Sequence, residues 1–76
     1  MEQTKENLRT IISSLLNISS DFSEEEEFLK LGADSVFFIR LQVEIKKQFG
    51  KRINIKDIFA NASLNKLTAL VTGEAV

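Results

Sequence analysis

Leu31-Gly32-Ala33-Asp34-Ser35-Val36-Phe37-Phe38-Ile39-Arg40-Leu41-Gln42-Val43-Glu44-Ile45-Lys46-Lys47-Gln48-Phe49-Gly50 is the stretch that decides the fold. Asp34 is a good N-cap and Gly50 a good stop, so the spacing predicts a helix over Ser35 to Phe49. Lys46 and Lys47 stand in its last turns, where the helix dipole favours cations. At about 100° per residue, Phe38, Leu41, Ile45 and Phe49 form one apolar stripe, which is assigned to the core. Val36, Ile39 and Val43 form a second stripe, with Phe37 beside it. A helix in a small monomeric bundle rarely needs two apolar stripes, so the second is surplus to packing.

Working outward, Leu8, Ile11, Ile12, Leu15 and Leu16 repeat at helical spacing and predict a helix over residues 2–17. A long connection follows, from Ile18 to Asp34. Ser23 and Glu26 have capping-box spacing, which predicts a helical turn near residues 24–30. Phe22, Phe28, Leu29 and Leu31 are too apolar for a free loop and should pin the connection to the bundle. On the other side, Ile53 and Ile55 read as an extended segment inserted into the core. Asn54 and Asp57 have capping spacing for a short helix over 56–61 that carries Ile58 and Phe59. Ser63 then caps a last helix with Leu64, Leu67, Leu70 and Val71 on one face, ending before Gly73. The expected fold is all-α: a small four-helix bundle of three longer helices and a short third one, with a long loop between the first two. The whole chain, residues 1–76, reads as a single domain.

Seventy-six residues suffice for one modest core, and 43% of them are hydrophobic. The formal net charge is −1, which excludes a generally cationic nucleic-acid binder. There is no His and no Cys, which removes His-based acid–base chemistry, thiol nucleophiles, disulfides and Cys/His zinc sites. No metal site is expected. No apolar run approaches the roughly 20 residues a membrane span needs, and no secretory apolar stretch follows Met1. A cytoplasmic, monomeric protein without membrane contact is the expectation.

Charge is unevenly placed. Residues 1–34 carry three bases and eight acids, whereas residues 35–76 carry seven bases and three acids. The plain reading is two solvated faces that attract each other weakly. The functional reading is a charged face that selects a partner and speeds encounter. Lys46, Lys47, Lys51, Arg52 and Lys56 lie close in sequence, but no aromatic stacking platform accompanies them, so nucleic acid is not an expected partner. The Glu24–Glu27 run is read as a solvated face, since nothing nearby would bury one carboxyl for acid–base work.

Ser35 is the residue best placed for chemistry. It follows a capping aspartate at a helix start, after a flexible Gly-Ala approach, so its hydroxyl should be exposed where free N–H groups and the dipole suit a phosphate ester. Asp-Ser at a helix start is also ordinary capping. A non-catalytic helical interaction module, with Ser35 only a cap, is therefore the competing reading.

Phe28-Leu29-Lys30-Leu31-Gly32-Ala33-Asp34-Ser35, the Leu41, Ile45, Phe49-Gly50 stripe, Ile53-Asn54-Ile55 before Asp57-Ile58-Phe59, and Ala62-Ser63-Leu64-Asn65-Lys66-Leu67 stand in register. Together they resemble acyl carrier and peptidyl carrier (thiolation) proteins. The resemblance covers nearly the whole chain. It implies an acyl-carrier-like bundle in which Ser35 bears 4′-phosphopantetheine, moved from coenzyme A by a phosphopantetheinyl transferase, with Asp34 as part of the motif. It further implies a carrier without catalytic residues that presents acyl or aminoacyl thioesters to adenylation, acyltransferase, ketosynthase or condensation-type enzymes. Fatty-acid carriers typically have an acidic helix after the serine. Here that helix is apolar and basic, more like carriers of polyketide or nonribosomal peptide assembly lines. Ala33-Asp34 stands where peptidyl carriers often have Gly-His, and Ala62-Ser63 where Pro-Thr is usual, so the two pathways stay open. With the core stripe set aside, Val36, Phe37, Arg40, Val43, Glu44 and Lys47 are the expected docking face, the alternative being that Phe37 folds back against the long loop.

Overall fold

Leu8, Ile11 and Ile12 turn inward from the first helix and meet Leu64, Leu67 and Val71 of the last, with Phe38, Leu41 and Ile45 closing the core from a third side. The computed structural model describes residues 2–73. Four helices follow in order: α1 (Glu2–Leu16), α2 (Ser35–Phe49), α3 (Ile55–Ala60) and α4 (Leu64–Thr72). A 3₁₀ turn at Phe28–Leu31 interrupts the α1–α2 connection. α1 packs against α2 and α4, and α3 packs against α2. Each fully buried Leu, Ile or Phe contributes about 1.5–3 kcal/mol of transfer free energy to this packing. The expected all-α bundle is therefore present, and no described helix is long and apolar enough to cross a membrane.

The helix limits follow their caps. The Asp34 carboxylate accepts the Phe37 N–H at 2.9 Å, and Gly50 ends α2 with a left-handed φ of 66°. Ser63 is itself buried, and its hydroxyl accepts the Lys66 N–H at 3.4 Å. Two capping expectations fail. Ser23 closes a tight turn, accepting Glu25 N–H on its hydroxyl and Glu26 N–H on its carbonyl, so the helical turn starts later, at Phe28. Asn54 precedes α3, but its side chain makes no cap; its carbonyl alone accepts from Asp57 and Ile58. Ile53 is buried in the non-helical stretch before α3, whereas Ile55 begins α3 and is only partly covered.

The long connection is fastened at both ends of its path. Arg9 of α1 donates to the carbonyls of Ser20 at 2.7 Å and Phe22 at 2.6 Å, with its guanidinium 5.0 Å from the Phe22 ring centroid. Lys5 pairs with Glu24 at 3.0 Å, and Arg9 approaches the same carboxylate at 3.9 Å. The Glu24 carbonyl accepts the Asn65 N–H of α4 at 2.9 Å, and Phe28 N–H donates to Ala62 at 2.8 Å. Among the described residues these ion pairs lie within the acidic half of the chain.

Candidate functional site

The approach to α2 is built by backbone geometry. Gly32 sits at a φ of 106°, a conformation that L side chains rarely adopt, and reverses the chain after the 3₁₀ turn. The Ala33 N–H then bonds the Phe28 carbonyl at 3.0 Å. Asp34 is extended, with a φ of −132°, and both its carboxylate and its carbonyl serve the first turn of α2, accepting Phe37 N–H and Phe38 N–H. These constraints place Ser35 as the first helical residue, exposed. Its hydroxyl makes no capping bond, because the cap is Asp34. The N–H groups of Ser35 and Val36 have no acceptor among the described residues. An exposed hydroxyl beside two free N–H groups at the positive end of a 15-residue helix suits an attached phosphodiester.

Phe37 corrects the expected docking face. It is only 4% exposed, with its ring 5.3 Å from Phe38 and 5.5 Å from Phe28 of the loop. The loop ring covers the flank of α2 that helical spacing alone leaves open, so Phe37 belongs to the core. Val36 and Val43 are exposed at 52% and 50%, and Arg40 and Lys47 are exposed beside them. The Glu44 carboxylate accepts Gln48 Nε2 at 3.1 Å, so it is partly engaged within α2.

Ile39 was missing from the expected face, and it is 55% exposed. With Val36 and Val43 it makes one continuous strip at i, i+3 and i+7. The signal was present in the second apolar stripe. Phe59 is also half exposed, its ring tilted against that of Phe38 with centroids 4.3 Å apart. Leu29, on the 3₁₀ turn that leads to Ser35, is exposed as well.

Comparison with known proteins fits this arrangement. The family model described as a phosphopantetheine attachment site matches residues 6–71. The nonribosomal peptide synthetase inpB of Emericella nidulans (strain FGSC A4) is 35% identical over 69 residues, covering 90% of this chain and 3% of that protein. The hybrid PKS-NRPS synthetase ucsA of an Acremonium species is 26% identical over 74 residues, covering 97% of this chain and 2% of its own length. The chain thus spans only a few hundredths of the length of the curated relatives it matches. The solution structure of a Pax NRPS complex, PaxA T1-CDD with PaxB NDD, superposes with a TM-score of 0.83 at 27% identity, over 92% of this chain and 66% of that one. An A-PCP structure of McyG, complexed with phenylalanyl-adenylate, shares the fold at a TM-score of 0.84 and 24% identity, over 90% of this chain and 10% of that one.

Proposed function

The chain belongs to the phosphopantetheine attachment family, and from that premise we propose that Ser35 is the attachment residue of an assembly-line carrier domain. The observation that carries this reading is the exposed Ser35 hydroxyl, uncommitted to capping, at the start of α2. When attached, 4′-phosphopantetheine supplies a terminal thiol that holds cargo as a thioester. Loading from coenzyme A forms a phosphodiester at Ser35 Oγ, breaks the bond to the nucleotide and releases the hydroxyl proton. No side chain of the described residues hydrogen-bonds Ser35, and in this reading a base of the transferase takes that proton. Asp34 and Gly32 do the positioning: one fixes the first turn, the other aims the chain into it.

Carrier domains of this family are in general non-catalytic, and this chain is read as one of them. Its relatives' names support a polyketide or nonribosomal peptide pathway. Its partners are then a phosphopantetheinyl transferase and adenylation, acyltransferase, ketosynthase or condensation-type enzymes. A cytoplasmic location is part of this reading. Docking is assigned to Val36, Ile39, Arg40, Val43 and Lys47, the exposed side of the helix that Ser35 begins. A modest, transient interface suits a domain that must leave each partner quickly.

The test is incubation with coenzyme A and a broad-specificity phosphopantetheinyl transferase, followed by intact-mass measurement. One phosphopantetheine should add to the parent and none to Ser35→Ala. An unmodified parent, or a modified Ser35→Ala, overturns the assignment.

A further inference from the structure

The exposed strip of α2 is flanked by cations on its own helix, and more follow in the sequence after it. Arg40, Lys46 and Lys47 on α2, and Lys51, Arg52 and Lys56 beyond it, are all exposed. None forms an ion pair with a described carboxylate. Over residues 35–60 only Glu44 and Asp57 carry negative charge. Helical geometry sets Ile39, Val43, Lys46, Lys47 and Arg40 around Val36 within an arc of about 120°, over a length of about 16 Å.

One end of this strip is shaped. A surface hollow of about 250 Å³ is lined by Gln42, Val43, Lys46, Arg52 and Ile53. Gln42 Nε2 donates to the Ile53 carbonyl at 2.8 Å, which ties the segment after α2 to the helix. That bond fixes Ile53 and its neighbour Arg52 beside α2, so that Gln42, Lys46 and Arg52 give the hollow its polar lining and Val43 and Ile53 its apolar lining. A second hollow, lined by Leu15, Ile39, Arg40, Val43 and Glu44, adjoins Val43 on the other side.

From this arrangement we propose that the strip is the docking site for an acidic amphipathic segment of a partner protein. An apolar side chain of that segment enters the hollow between Val43 and Ile53, and its flanking carboxylates meet Lys46 and Arg52. The inference rests on the carrier reading, since the strip starts beside Ser35 and names the chemistry of the surface to which Ser35 is presented. An apolar centre with a charged rim is the anatomy of a protein interface. Positive charge in excess around it, with Glu44 the one acidic side chain lining the second hollow, steers encounter and disfavours basic partners. Nucleic acid fits less well. Phosphates have no use for Val36, Ile39 and Val43, the exposed Phe59 ring is already engaged by Phe38, and the front of the chain is acidic.

The experiment titrates two synthetic helical peptides, with one shared apolar ridge, into the full chain and follows backbone amide shifts. One peptide is flanked by glutamates and the other by lysines. The glutamate peptide should shift Ile39, Val43, Lys46, Arg52 and Ile53, the lysine peptide should not, and salt should weaken binding. Lys46→Gln with Arg52→Gln should lower affinity about five- to tenfold, while Lys66→Gln on α4 leaves it unchanged. Equal binding of the two peptides, shifts elsewhere on the surface, or no binding of the glutamate peptide at low salt overturns the proposal. So does tighter binding of duplex DNA or anionic vesicles, which makes the surface a general polyanion site. Ser35→Ala should keep peptide binding while losing pantetheinylation. A failure of the attachment reading therefore shows in the mass assay alone, and a failure of this one in the titration alone.

Discussion

Phe28 stands edge-on to Phe37, with ring centroids 5.5 Å apart and planes at 67°. A loop residue and a helix residue thereby bury each other, and the contact seats the segment that leads into Ser35. Phe37→Leu keeps most of the buried area and should cost about 1–1.5 kcal/mol, while Phe37→Ala should cost about 3–5 kcal/mol. Urea denaturation measures both. Phe37→Leu should accept phosphopantetheine at the parental rate. Slow loading of a variant that has lost no stability would return Phe37 to the docking face.

Asp34 tests the cap. Asp34→Ala removes the acceptor of the Phe37 N–H and should cost about 1 kcal/mol, whereas Asp34→Asn keeps an oxygen there and should lie close to the parent. Thermal unfolding of the three proteins gives the comparison. Equal losses in both variants would mean that the carboxylate charge, rather than the cap bond, is what matters.

Much of the bundle is legible in the sequence, because helix ends are written in single residues. Asp34, Gly50, Ser63 and Gly73 each fall at an observed cap, so α2 and α4 stop and start where their spacing says. α1 was readable from its stripe of five apolar residues. What local patterns missed depends on contacts between distant segments. Nothing near Phe37 in sequence tells that Phe28 will cover it. Asn54 had the right spacing for a cap, yet spacing does not set the side-chain direction, and its carbonyl does the work alone. The serine was readable from its place after Asp34. The extent of the exposed strip was not, because Ile39 and Phe37 exchange roles once the loop is seated.

Arg9 illustrates the same gap, and it is testable. Its guanidinium reaches two carbonyls and a ring at once, a geometry that an ammonium cannot copy. Arg9→Lys should cost about 1–2 kcal/mol in urea denaturation. Lys5→Gln, which removes a part-exposed ion pair, should cost less than about 1 kcal/mol. A larger loss from Lys5→Gln than from Arg9→Lys would show that charge on Glu24, rather than the carbonyl bonds, fastens the loop.

Gly32 separates space from backbone strain. A methyl group there would meet nothing within 4 Å, yet the φ of 106° remains unfavourable for any L side chain. Gly32→Ala should therefore cost about 1–2 kcal/mol without any steric clash. Denaturation reads the loss, and parental stability would mean that the turn relaxes freely.

Glu24 is gripped by α1 through its carboxylate while its carbonyl serves the N–H of Asn65. The last helix thus borrows part of its beginning from a segment far upstream, and its first turn is complete only once that segment has settled. Deuterium uptake at the Asn65 amide consequently reports the release of that upstream segment, where the same position in an ordinary helix would report only local fraying.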